Sequence, residues 1–130
     1  HLVTPQWSRR ATGLKVFAAL AELGLPGYAR LVEHQAAMGE ALRARLAAAG
    51  WRVVNDTVLP VVCFTHPEVD AGQITAATIR DRVYARGGAW VSTVELAAGA
   101  PVLRACITSY QTGPEDLEAL VQELELARGA

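Results

Sequence analysis

Residues 101–117, PVLRACITSYQTGPEDL, constrain the fold of this chain more than any other stretch. The run Val102-Leu103-Arg104-Ala105-Cys106-Ile107 is strand-like, apolar but for one arginine. A polar turn follows, and Thr112-x-x-Glu115 then reads as a capping box opening a helix with Leu117, Leu120, Val121 and Leu124 on its inner stripe. In strict alternation Arg104 shares a face with Val102, Cys106 and Thr108, opposite Leu103, Ala105 and Ile107. Arginine is rarely buried unless it is paired or set to receive an anion. Two readings of Arg104 follow: a surface arginine whose stem lies over apolar neighbours, or a guanidinium aimed at a carboxylate or phosphate.

The remaining elements can be read in order. Residues 1–8 form an extended lead-in containing Pro5. From Arg9 the pattern is helical, with Leu14, Phe17, Ala18, Leu20 and Ala21 as the apolar stripe and Gly24 as the stop. After Pro26 a longer helix is expected over about 27–49, carried by Leu31, Gln35, Met38, Leu42, Leu46 and Ala49 and ended by Gly50. Strands are expected at 51–54 and 59–65, with Pro60 marking an edge or a strand start. Asp70-x-x-Gln73 reads as the capping box of a third helix bearing Ile74, Ala77, Ile79 and Val83, which Gly87-Gly88 ends. Residues 90–96 alternate with Trp90, Ser92, Val94 and Leu96 on one face, and are expected to pair antiparallel with the strand at 101–109.

This order implies an α+β fold: a small, mainly antiparallel sheet with helices packed on one face, preceded by a connecting helix. Its 130 residues, 52% of them apolar, suit one domain with a real core, residues 1–24 being lead-in and connecting helix and 25–130 the α/β sandwich. A formal charge of −1 gives no reason to expect nucleic acid or an anionic membrane as partner, and no apolar run has membrane-spanning length. The two cysteines, Cys63 and Cys106, lie in strand-like runs and read as buried free thiols of a cytoplasmic protein, the alternative being a disulfide between them if the fold supplies the geometry.

Most catalytic chemistries lack support. His1, His34 and His66 are scattered, and neither cysteine has a zinc-like partner, so no metal site is expected. His34 reads as a partly exposed helical side chain. Ser92, Ser109, Cys63 and Cys106 stand in no nucleophile motif, and Asp56, Glu68 and Asp70 read as turn carboxylates and caps. Arg9-Arg10 read as a solvated basic pair or as a docking point for an acidic neighbour. Lys15 is the sole lysine beside eleven arginines, which leaves it as the one side chain here able to form a Schiff base.

Trp7-Ser8-Arg9-Arg10 with Gly13-Leu14-Lys15-Val16-Phe17, then Gly24-Leu25-Pro26-Gly27-Tyr28, Val61-Val62-Cys63-Phe64, Trp90-Val91-Ser92-Thr93 and Leu103-Arg104-Ala105-Cys106-Ile107-Thr108 with residues 112–117 resemble, in order, the C-terminal region of group II pyridoxal-phosphate-dependent amino-acid decarboxylases. The resemblance covers nearly the whole chain. It implies the C-terminal small domain of an aspartate-aminotransferase-like (fold type I) enzyme that removes an α-carboxylate as carbon dioxide to give an amine. It implies, as partners, a large cofactor domain of the same enzyme, a second copy in a homodimer, and a small amino-acid substrate. The pyridoxal 5'-phosphate lysine belongs to a histidine-lysine motif of the large domain, a motif that does not occur here, so no catalytic or cofactor-binding residue is assigned and the chain alone is expected to be inactive. The start at His1 fits a processed chain or fragment. Arg104 matches the position where glutamate-decarboxylating relatives hold a substrate carboxylate, which makes it the one candidate substrate-binding residue. The alternatives are a non-enzymatic α+β binding or regulatory module, and the small domain of a fold type I aminotransferase or related lyase.

Overall fold

In a computed structural model of the chain, residues 12–96 and 99–130 are described. Trp7, Ser8, Arg9 and Arg10 lie outside them. The chain divides into two compact units, His1–Val32 and Glu33–Ala130.

The first unit contains the start of α1 (Thr12–Ala48), which is broken at Gly24 (φ 62°, ψ 171°). That positive φ lies in the range that a side chain disfavours, and Pro26, lacking an N–H, follows two residues on. The stop and restart expected at 24–27 therefore occur as an interruption inside one helix. Within this unit the apolar stripe is bare: Leu14 is 64% and Phe17 68% exposed, and Leu25 is more exposed still.

The second unit holds the rest of α1, β1 (Arg52–Val53), β2 (Val61–Thr65), a one-turn α2 (Pro67–Asp70), α3 (Ala76–Arg86), β3 (Ser92–Val94), β4 (Val102–Cys106) and α4 (Pro114–Gly129). The strands form one antiparallel sheet in the order β1-β2-β4-β3. Its inner face presents Val62, Phe64, Leu103 and Ala105. Against them pack Leu42 and Leu46 of α1, Ile79 and Val83 of α3, and Leu117, Val121 and Leu124 of α4. This is the expected α+β layout, with helices on one face. α1 comes close to the β1–β2 loop at Gly39, where a Cβ would stand 3.1 Å from the Pro60 Cα.

Three local readings need correction. Asp70 does not cap the third helix. It ends α2, and its carboxylate accepts from Arg52 (2.8 Å) and from the Thr65 hydroxyl (3.1 Å), whereas Thr75 caps α3 through Oγ1 on the Thr78 N–H at 3.0 Å. The cap of α4 lies one residue later than the Thr112–Glu115 box: Gly113 is the N-cap, its N–H donates to Asp116 Oδ2 at 2.9 Å, and Pro114 occupies the first turn. The strands are also shorter than their apolar runs. Trp51 and Trp90 fall outside them, Trp51 filling the core while Trp90, 63% exposed, stacks on Tyr84.

Candidate functional site

Alternation along β4 sends Leu103 and Ala105 into the core and leaves Val102, Arg104 and Cys106 half-buried on the opposite face. Register places Arg104 between Cys63 of β2 and Ser92 of β3, so the three side chains form a row across the sheet. Arg104 Nε donates to Ser92 Oγ at 3.1 Å, and that hydroxyl in turn donates to the Arg104 carbonyl oxygen at 3.4 Å. Seven ion pairs occur among the described residues, and Arg104 is in none of them. A half-buried guanidinium, always protonated at neutral pH, thus stands on the sheet with no carboxylate of its own.

Cys63 adds no anion to that row. Burial pushes its thiol up, and Cys106 adds to the effect, while Arg104 and Arg43 oppose it. A thiol so raised stays neutral near pH 7. Cys63 and Cys106 are diagonal neighbours on β2 and β4 and both are free, Cys63 buried and Cys106 half-buried. A direct cross-strand pairing, which would favour a disulfide, is not what the register gives.

The other candidate residues serve the fold. His34 Nε2 meets the Thr112 carbonyl oxygen at 2.9 Å, and Gln35 Nε2 donates to the Thr108 carbonyl at 2.7 Å, so α1 holds the turn between β4 and α4. His66 caps α2, its Nδ1 accepting from the Glu68 N–H, and packs edge-on against Trp51. Glu68 pairs with Arg128 at 2.6 Å. Ser109 accepts from the Gln111 N–H within the turn. No cluster of metal-ligating side chains occurs among the described residues.

A cavity of about 260 Å³ lies at the β1 side of the open face, lined by Arg52, Thr65, Asp70, Leu96, Pro101 and Val102 among others. A second, of about 290 Å³, lies beside Trp90 and α4. Arg104 lines neither. Lys15, exposed on the first part of α1, lines neither as well.

Ser92 is the residue that sequence reading left without a role. Its place beside Arg104 depends on the β3–β4 register, and the only sequence signal for it was the expected antiparallel pairing of the two runs.

No family model matches the chain, and no curated protein matches it. Among solved structures it is similar to mouse CSAD in apo form, with a TM-score of 0.80 at 20% identity over 94% of this chain. It is similar to Oryza sativa TDC with PLP and tryptamine, with a TM-score of 0.78 at 17% identity over 93% of the chain. It is also similar to the glutamate decarboxylase of Lactobacillus brevis, with a TM-score of 0.74 at 20% identity over 98% of the chain. The match takes up 28%, 27% and 30% of those chains respectively, so this chain spans less than a third of each. The fold is that of one part of decarboxylase chains.

Proposed function

We propose that this chain is the C-terminal small domain of a group II pyridoxal-phosphate-dependent amino-acid decarboxylase, in which Arg104 holds a carboxylate of the substrate. The observation that carries the reading is the Arg104 guanidinium, in no ion pair among the described residues and held by Ser92 on the face of the sheet opposite the core, in a fold that matches parts of decarboxylase chains. A planar fork bound to a strand is suited to bidentate capture of a carboxylate. A sheet covered by helices on one face has its other face available to a second layer, and the large cofactor domain of the same enzyme is the proposed layer. The chain's own residues bind and orient. The cofactor supplies the electron sink when bound by that larger domain. The exposed apolar side chains of the first unit, Leu14, Phe17 and Leu25, fit the same picture as candidate contacts for that domain. A homodimer and a cytoplasmic location belong to the proposal on the resemblance alone.

The test is Arg104→Lys in the full-length protein. Lysine keeps the charge and loses the fork. The expected result is a fall of about tenfold in kcat/KM for amino-acid decarboxylation with normal cofactor loading. Unchanged kinetics would return Arg104 to a surface role. A parent reading frame with no histidine-lysine motif upstream would favour the non-enzymatic module.

A further inference from the structure

The contacts of Arg104 decide which of its N–H groups are free. A guanidinium offers a carboxylate two bidentate edges, side-on through Nε and one Nη, or end-on through both Nη groups. Ser92 lies directly opposite Arg104 in the β3–β4 register, and its Oγ accepts the Nε–H at 3.1 Å. The hydroxyl has a single proton, and that proton is directed to the Arg104 carbonyl oxygen at 3.4 Å, which turns a lone pair toward Nε. Among the described residues no hydrogen bond uses either Nη. On the other flank stands Cys63, whose thiol is a weak acceptor and no competitor for a charged donor. Both partners sit on strands of the same sheet, a more rigid mount than a loop.

We infer that Ser92 is a positioning residue: it occupies the Nε edge of Arg104 and leaves the Nη1–Nη2 edge for end-on capture of a carboxylate. The inference rests on the reading of Arg104 as a substrate contact and adds to it a direction of approach, along the guanidinium axis and away from Ser92. Side-on capture, which uses Nε, would need the Ser92 contact to break first.

Two measurements test it. In nitrogen-15 proton spectra of the 130-residue chain, the Arg104 Nε–H should exchange slowly with solvent. Ser92→Ala should speed that exchange about tenfold, and Ser92→Thr, which keeps the hydroxyl, should restore it. In the full-length protein, assayed with whichever of the twenty common amino acids it decarboxylates fastest, Ser92→Ala should raise KM about fivefold to tenfold with kcat within about twofold of the parent, and Ser92→Thr should again rescue. A purely structural serine would leave the Nε–H exchange unmoved, and that result overturns the inference. An Arg104→Lys effect without any Ser92→Ala effect sinks the inference alone. Should no amino acid be decarboxylated, the proposed function fails, while the Nε–H exchange still decides whether Ser92 orients Arg104.

Discussion

Glu125 is where two distant parts of the second unit meet through one carboxylate. Its Oε1 accepts the Trp51 indole N–H at 2.6 Å and its Oε2 accepts from Arg128 Nη2 at 2.7 Å, while Arg128 Nη1 donates to Glu68 at 2.6 Å. Burial pushes Glu125 upward, but the hydrogen bonds from Arg128 and Trp51 outweigh it and hold the carboxyl below its ordinary range. A carboxylate whose folded pKa lies below the unfolded one stabilises the fold above the unfolded value, about 4.3, and that contribution is lost as pH falls through the lower, folded value. Glu125→Gln keeps an acceptor for Trp51 and removes the charge facing Arg128, so it should cost about 1 kcal/mol in urea unfolding at pH 7. The gap from the parent should close as pH drops below about 4. A gap of the same size at pH 7 and pH 3 would show that the charge has no part in it. None of this was legible in the sequence, because Trp51 and Glu125 are joined only by the tertiary fold. Arg104 was legible as a single charge in an apolar strand; its partner Ser92 depended on register, which local pattern does not fix.

At the scale of elements, the apolar periods placed three helices, since the stripes Leu42–Leu46, Ile79–Val83 and Leu117–Val121–Leu124 of α1, α3 and α4 are buried, and the expected antiparallel pairing of 90–96 with 101–109 is found as β3 with β4. The helix starts were less legible, for a physical reason. Asp, Thr and Gly all serve at N-caps, and the 66–75 and 112–116 segments contain several of them within a few residues. Competition for Asp70 decided the first case: with Arg52 and Thr65 both donating to it, its carboxyl is held below its usual range, first by the Arg52 hydrogen bond, and it has no reason to turn toward α3. Thr75 takes the cap instead. Thr75→Ala should therefore lower stability by about 1 kcal/mol in chemical denaturation, with Thr75→Ser close to the parent. An unchanged midpoint in Thr75→Ala would mean that α3 begins without a side-chain cap. The strands were overextended in the sequence reading because apolar composition does not distinguish a paired residue from one that merely packs: Trp51 is buried in the core yet precedes β1.

For the whole molecule, the proposed division of labour gives a chain that recognises a carboxylate but holds no cofactor. Its one lysine, Lys15, is exposed on α1, on a segment whose neighbours are Gly13, Leu14, Val16 and Phe17. A Schiff-base lysine is made reactive by desolvation or by a nearby cation, and an exposed helical lysine has neither from its own segment. On the proposed reading Arg104 would recognise an anion, and Lys15 carries the one side-chain amine of the sequence. The isolated chain mixed with pyridoxal phosphate should therefore give only the weak, reversible adducts of any exposed amine. Borohydride reduction followed by peptide mapping should find label divided between Lys15 and the amino terminus, at low yield. Stoichiometric trapping at Lys15, with an absorbance band that survives dialysis, would show that this chain builds a cofactor site of its own and would overturn the assignment of that role to a larger domain.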